Sequence, residues 1–348
     1  MIDLTERHKL VQGDALAILL TLAPASVRCC VTSPPYWRQR DYKVAGQVGL
    51  EATPEEYVAR LVGIFREVRR VLTDDGTLWL NLGDKWASGG HGGGGSFMRE
   101  RGQAWAHAKN AKGWRSPPAG YKDKDLVGIP WMTAFALRAD GWFLRQCNIW
   151  AKPNGMPEGV RDRSTVSHEY VFHLSKSGDY FYDPTAARTP MAPSSETRLA
   201  QDVDSQAGSA RANAGRKTNG PMKAVRRSDK QRGHSRRHAG FNDRWDAMER
   251  GEHAGSANLR SVWWIAPAQS KDAHFAVMPD KLARICLLCG SQPGDVVLDP
   301  FAGAGTTGAV ALGEGRRFLG IELNAEYVEI SRRRIAEAAA QGNFFEAP

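Results

Sequence analysis

The chain has 348 residues, 42% hydrophobic and 24% charged, a globular mix that excludes wholesale disorder and collagen-like repeats. At roughly 100–200 residues per domain, that is one large domain or two modest ones. Lys and Arg number 47 against 38 Asp and Glu, a net charge of +9, which points to a polyanionic partner. The longest apolar stretch, residues 15–23, is half of what a membrane span needs. Residues 1–9 are polar and read as no secretory leader. Five cysteines, an odd number, argue against a disulfide framework. The expectation is a soluble protein of a reducing compartment.

In chain order, residues 28–32 form a short β-branched strand that ends at Pro34-Pro35. Residues 54–72 carry Tyr57, Val58, Leu61, Ile64, Phe65, Val68 and Leu72 at a helical period. Asp74-Asp75-Gly76 is expected to turn the chain into a strand over 77–82. Residues 143–151 and 168–174 are further strands, with 178–182 a candidate beside the second. A strand at 296–299, a helix at 306–313 and a strand at 318–323 follow. Asn324 then caps a helix over 325–340. Strands alternating with helices predict an α/β fold with a doubly wound, mostly parallel sheet. There is no internal repeat and no heptad run.

The charge is unevenly placed. Residues 86–125 carry 7 basic against 3 acidic side chains, and residues 185–260 carry 15 against 8, so the rest of the chain is slightly acidic. Both inserts read as poorly ordered. Residues 89–96 are nearly all glycine, a linker composition. Within 185–260 the only aromatics are Phe241 and Trp245, too few to offset the entropy of ordering, so ordering on a partner is expected.

Gly303 to Gly308 reads G-x-G-x-x-G at a strand-to-helix turn, and Glu322 follows Gly303 by 19 residues, where it could hold a ribose diol. By pattern alone this is a dinucleotide site. Asp299 and Pro300 intrude before the glycines, however, and place a carboxylate where a pyrophosphate would sit. A carboxylate suits a cofactor with a cationic amino-acid end, such as S-adenosylmethionine (AdoMet), which carries an ammonium, a sulfonium and a ribose diol. A tight turn with a helix cap is the plainer alternative.

At the end of the 28–32 strand stands Ser33-Pro34-Pro35-Tyr36-Trp37. Consecutive prolines fix φ and remove two donors. They leave the Pro34 carbonyl and the Ser33 hydroxyl as acceptors beside an exposed Tyr36 face. Two acceptors and a stacking ring suit a planar heterocycle bearing an exocyclic NH2. Standing alone, the string would read as a strand-ending turn with a surface Tyr.

Ser33-Pro-Pro-Tyr36 and Asp299-Pro-Phe-Ala-Gly-Ala-Gly-Thr-Thr307 together resemble the two signatures of the amino-directed DNA methyltransferases, AdoMet-dependent enzymes that methylate cytosine N4 or adenine N6. The order, catalytic motif first and AdoMet motif last, is similar to the family's β group. The resemblance covers residues 8–84, 126–184 and 261–341, with lesser matches at Gly13-Asp14, Gly76 to Gly83, Asn148 to Asn154, and His274 to Leu282. Phe275 departs from the family's usual His-Pro-Ala. The resemblance implies a seven-stranded AdoMet-methyltransferase sheet in circularly permuted order. Residues 1–184 would be its catalytic half, 261–348 its AdoMet half, and 185–260 a partly disordered target-recognition segment. It implies Ser33, Pro34, Pro35 and Tyr36 as catalytic residues. It places Asp14 by the AdoMet adenine, Glu322 on the ribose, Asp299 on the ammonium and Pro279 and Leu282 behind the cofactor. Phe301, Gly303, Gly305, Thr306 and Thr307 line the loop, and no metal is implied. The implied partner is double-stranded DNA, not a membrane, with a cognate restriction endonuclease as a further candidate, in the cytoplasm of a bacterial or phage-infected cell.

In this family a Ser before Pro-Pro-Tyr is commoner in cytosine-N4 enzymes and an Asp in adenine-N6 enzymes, so cytosine is expected and adenine is the alternative. An RNA or protein amino-methyltransferase would share Pro-Pro-Tyr, but two basic inserts and the motif order favour duplex DNA. A nicotinamide oxidoreductase leaves Ser33 to Tyr36 unexplained, and a non-catalytic DNA binder leaves the glycine loop and Glu322 unexplained. Cys286-x-x-Cys289 reads as a buried helix rather than a zinc site. His168-Glu169 lacks the second His of a zinc protease and is expected to border a DNA cleft or cap a strand. Cys29 and Cys30 are expected in the core. Trp263 and Trp264 are expected to pack under the sheet, with a DNA-facing role as the alternative.

Overall fold

The computed structural model describes residues 5–87, 119–155, 157–190, 256–268 and 278–341. The chain divides into two units, Met1–Asp183 with Arg260–Pro348, and Pro184–Leu259. In chain order the elements are β1 (His8–Gln12), α1 (Ala15–Leu20), β2 (Val27–Thr32), α2 (Pro54–Val71), β3 (Leu72–Leu82), β4 (Trp86–Ala87), β5 (Asp125–Leu126), α3 (Ile129–Ala139), β6 (Phe143–Ala151), β7 (His168–Ser175), β8 (Thr189–Pro190), β9 (Ser256–Ala257), β10 (Val262–Trp264), α4 (Asp280–Gly290), β11 (Val296–Asp299), α5 (Thr306–Gly313), β12 (Arg317–Glu322) and α6 (Ala325–Gln341).

The first unit is built on an eight-stranded sheet in the order β1-β12-β11-β2-β3-β7-β6-β10. Every neighbouring pair is parallel except those of β7, which runs against both β3 and β6. The centre of the sheet is built from segments far apart in sequence: the register sets Leu298 beside Cys30 and Leu298 beside Leu319. A period of two divides the sheet's side chains between two helical layers. Leu78, Leu80, Leu82, Leu298, Leu319 and Ile321 join the core under α1, α2 and α3. On the other face, Cys29, Thr77 and Trp79 come against Gly290 of α4, and Phe318 against Gly308 of α5. Cys29 and Cys30 are fully buried, as expected of core strand residues.

Three expectations need correction. Among the described residues the sheet has eight strands rather than the expected seven, because residues 262–264 pair with Ile149 to Ala151 along the edge of β6. Asp74 to Gly76 is not a turn before a strand. It is an irregularity inside β3, where β2 advances two positions from Val27 to Cys29 while β3 advances five from Leu72 to Thr77. Asp75 is held there by the Arg28 guanidinium. Residues 178–182 form no strand and hang on that irregularity through the Phe181 amide, which donates to the Asp75 carbonyl at 2.9 Å. The helix over 325–340 is found as α6, and the Asn324 side chain accepts from the Glu326 amide at 2.8 Å.

In the second unit, β8 and β9 pair antiparallel and the Arg188 guanidinium bonds the Ser256 hydroxyl and the Asn258 side chain. The remainder of 185–260, the glycine-rich part of 86–125, and His274 to Val277 lie outside the described residues.

α2 starts on a capping box: the Thr53 hydroxyl accepts from the Glu56 amide at 3.1 Å, and the Glu56 carboxylate accepts from the Thr53 amide at 3.2 Å. Pro54 follows at the first helical position. Thr53→Ala should therefore lower stability by about 1 kcal/mol, read as a lower denaturation midpoint with an unchanged denaturant slope. An unchanged midpoint would mean that packing alone sets where α2 begins.

Candidate active site

In an open parallel sheet, ligands bind beyond the carboxyl ends of the strands, where the connections diverge. Here that edge opens into a cavity of about 300 Å³, at the lower end of the range for small-molecule sites. Residues that end β1, β2, β11 and β12 line one part of it, including Asp14, Ser33, Asp299 and Glu322. Asn81 of β3, Trp150 of β6, Lys152 and Glu169 of β7 line the other.

Asp299 is 4% exposed. Its Oδ1 accepts from the Thr32 hydroxyl at 2.6 Å and from the Phe301 amide at 3.1 Å. Burial pushes its pKa up to about 6, against hydrogen bonds from Thr32, Thr307 and Phe301, while the charge of Glu322 adds to the rise. Glu322 is raised too, again by burial. Its Oε2 accepts from the Gly303 amide and its Oε1 from the Asn324 amide, both at 2.8 Å. Asp14 caps α1 by accepting from the Ala17 amide at 2.9 Å, and the preceding Gly13 amide donates to the Glu322 carbonyl.

These bonds decide between anionic and cationic ligands. The amides of Phe301, Ala302, Gly303 and Gly305 all donate within the protein, to Asp299, Ile321, Glu322 and Ala302. A dinucleotide pyrophosphate needs such amides turned towards it. It would also meet the carboxylates of Asp299 and Glu322. The cavity wall fits a ligand with a cationic end and hydroxyls instead, because each carboxylate keeps lone pairs for further donors.

The other expected residues divide. Phe301, Gly303, Thr306 and Thr307 line the cavity. Gly305, Pro279 and Leu282 are buried and are not among its lining residues, whereas Met278 is. Gly305 serves the backbone: its φ is +77°, and a Cβ there would run into Ser331 of α6. Leu282 packs within α4 at 0% exposure, beside Cys286 and Cys289, which are buried in the same helix. Arg334 ties Thr306 to Asp280, joining α5, α6 and α4 behind the loop.

Ser33, Pro34, Pro35 and Tyr36 also line the cavity. The Pro35 carbonyl accepts from the Tyr57 hydroxyl of α2 at 2.9 Å, and the Trp37 indole donates to the Glu51 carbonyl at 3.0 Å, which fix the turn. Tyr36 is half-buried rather than exposed, because its hydroxyl reaches Glu169 at 2.6 Å and Asn81 at 3.2 Å. Gly83 makes room for the ring: a Cβ there would lie 2.7 Å from Tyr36 Cε2. The Glu169 carboxylate also pairs with Lys152 at 2.5 Å.

Asn81, Trp150, Lys152 and Glu169 escaped sequence reasoning as site residues, although a cleft or strand cap was expected at Glu169. The available signal was a buried-strand Glu and a strand-ending Lys without local partners. Tyr42 and Tyr327, edge to face at 5.8 Å, also line the cavity and were missed. Trp263 packs as expected at 4% exposure, but its neighbour Trp264 is 70% exposed, because alternate residues of the edge strand face opposite ways. Among the described residues, no helix is long and apolar enough to cross a membrane.

The DNA methylase family of the N6/N4 type matches residues 27–333. The type II methyltransferase M.Cfr9I of Citrobacter freundii is 40% identical over 94% of this chain and 87% of its own length. Among solved structures, the PvuII DNA methyltransferase (cytosine-N4-specific) aligns with a TM-score of 0.56 at 17% identity, over 97% of this chain and 93% of its own. TTHA0409 of Thermus thermophilus, in its complex with S-adenosyl-L-methionine, aligns with a TM-score of 0.54 at 22% identity, over 95% and 94%. The sheet is the one these structures share. The chain belongs to the DNA methylase family of amino-methyltransferases.

Removing the Thr32 hydroxyl takes away a bond to the charged form of Asp299, so Thr32→Val should move that carboxyl's pKa above its value of about 6. Carbon-13 titration of labelled aspartate would read the shift. An unmoved or lower pKa would show that this bond does not govern the group.

Proposed function

We propose that this chain is a type II DNA methyltransferase that methylates an exocyclic amine of a flipped base, cytosine N4 in preference to adenine N6, with AdoMet as donor. The observation that carries the reading is the shared cavity in which Ser33, Pro34 and Tyr36 stand beside Asp299 and Glu322. Bound AdoMet would supply a methyl group on a sulfonium, an electrophile that needs no metal. Asp299 holds the cofactor's ammonium, Glu322 its ribose hydroxyls, and Asp14 lies by its adenine. Phe301, Gly303, Thr306 and Thr307 line the same part of the cavity, and Gly305, Pro279 and Leu282 support it from behind.

The exocyclic amine of a base is a weak nucleophile because its lone pair is delocalised into the ring. The Ser33 oxygen and the Pro34 carbonyl accept its two N–H bonds and draw the nitrogen towards a tetrahedral shape. The Pro35 carbonyl accepts from the Tyr57 hydroxyl, a bond that holds the turn in which Pro34 is the second acceptor. Holding amine and methyl at attack distance contributes about 7–11 kcal/mol to lowering the barrier. Inside a duplex the amine cannot reach the cofactor, so the nucleotide leaves the stack at a cost of a few kcal/mol. Stacking on the Tyr36 ring, about 1–3 kcal/mol per base, offsets much of that.

Duplex DNA as the substrate fits the family and the net charge of +9. We assign target recognition to residues 185–260, which carry 15 of the 47 basic side chains. A type II pairing implies a cognate restriction endonuclease as the functional partner. Ser33 before Pro-Pro-Tyr, the residue commoner at that place in the family's cytosine-N4 enzymes, favours cytosine.

Nucleoside mass spectrometry of DNA treated with the enzyme should find N4-methylcytosine. N6-methyladenine would move the assignment to the other base, and 5-methylcytosine would contradict amine chemistry altogether. Ser33→Ala should lower single-turnover methylation about tenfold to a hundredfold, the range for one lost buried hydrogen bond, while leaving AdoMet affinity unchanged. Lost affinity with parental turnover would place Ser33 on the cofactor instead.

A further inference from the structure

Glu169 sits on the target side of the cavity with a role that the reaction above does not use. Its Oε2 accepts from the Tyr36 hydroxyl at 2.6 Å and from Asn81 Nδ2 at 3.1 Å, and its Oε1 accepts from Lys152 Nζ at 2.5 Å. Lys152 also lies 4.5 Å from the centre of the Trp150 ring. The Lys152 and Glu169 side chains are only 21% and 16% exposed, so the pair is screened weakly by solvent. Three strands supply the group: Asn81 from β3, Glu169 from β7, and Lys152 immediately after β6.

The directions of these bonds follow from the chemistry of the groups. A carboxylate only accepts, and a phenol has one hydrogen. That hydrogen goes to the shorter, charge-assisted contact with Glu169 rather than to Asn81 Oδ1 at 3.2 Å. Burial, and then the charge of Glu169, hold the Tyr36 hydroxyl protonated far above its ordinary range. Towards Ser33, 3.3 Å away, Tyr36 therefore has only lone pairs to offer, and the Ser33 hydroxyl donates to it. The Ser33 oxygen is then left with lone pairs for the cavity.

We propose that Glu169, with Lys152 as its counter-ion, is a positioning residue. It fixes the direction of the chain Ser33 to Tyr36 to Glu169, so that Ser33 meets the target amine as an acceptor. The proposal rests on the reading of Ser33 as an acceptor for that amine. In the reversed chain, Ser33 would aim its own hydrogen at the N–H it has to receive.

Glu169→Gln keeps the shape but adds a donor that can reverse the chain. With the full-length protein, its single-turnover methylation rate on DNA should fall about tenfold to a hundredfold, the range for one mismatched buried hydrogen bond. AdoMet affinity by calorimetry should stay near the parental value, while the melting temperature falls because Lys152 loses its counter-ion. In a Tyr36→Phe background the same substitution should have no further effect, since the chain is already cut. Glu169→Asp, which offers acceptors only, should be faster than Glu169→Gln. A parental rate for Glu169→Gln, an equal fold-loss with and without the Tyr36 hydroxyl, or Glu169→Asp as slow as Glu169→Gln would each overturn the proposal. Ser33→Ala separates the two levels. A parental rate there would overturn the acceptor reading itself, whereas a slow Ser33→Ala beside a parental Glu169→Gln would overturn only the role of Glu169.

Discussion

One hydrogen bond, from the Thr32 hydroxyl to the Asp299 carboxylate, joins residues 267 apart in sequence and the two halves of the site. Thr32 ends β2 and is followed at once by Ser33. Asp299 ends β11 and is followed by the glycine loop. Because β2 and β11 are parallel neighbours, the peptide that we assign to the target amine and the peptide that we assign to the cofactor emerge side by side at one edge of the sheet. Their separation is fixed by strand spacing, about 4.8 Å in a sheet, and not by flexible connections. Methyl transfer between two bound partners needs that kind of fixed neighbourhood.

The same arrangement produces a sharp local contrast in charge. A chain of net +9 keeps Asp14, Asp299 and Glu322 around one small cavity. Long-range attraction for a polyanion and short-range attraction for a cationic ligand are thereby assigned to different parts of the molecule. Burial makes the carboxylates hard to ionise, and backbone amides and hydroxyls partly offset that penalty. Asp299 is left poised, with a pKa of about 6, so a bound cation would complete its ionisation.

Much of this was legible in the sequence because it is local. Ser33 to Tyr36 and Asp299 to Thr307 are strand-to-loop transitions whose conformations depend on their own prolines and glycines, and α2 announces itself by period and cap. What was not legible depends on pairing at a distance. Glu169 and Lys152 acquire meaning only because antiparallel β7 inserts between β3 and β6, setting Asn81, Glu169 and the end of β6 at one place. The irregularity at Asp74 to Gly76 looked like a turn, since Asp-Asp-Gly is turn chemistry, yet Arg28 and the neighbouring strand hold it within β3. β10 is three residues long, too short for any periodic signal, so neither the eighth strand nor the exposure of Trp264 could be read.

Asp299 as the receiver of the cofactor's ammonium is tested most directly by AdoMet calorimetry in buffers of differing ionisation heat. A carboxyl with a pKa of about 6 must give up its proton to pair with a cation. Binding should therefore release about half a proton at pH 6 and close to one at pH 5, with affinity falling as the pH is lowered. Binding heats that do not depend on the buffer at either pH, with affinity unchanged between them, would contradict the account.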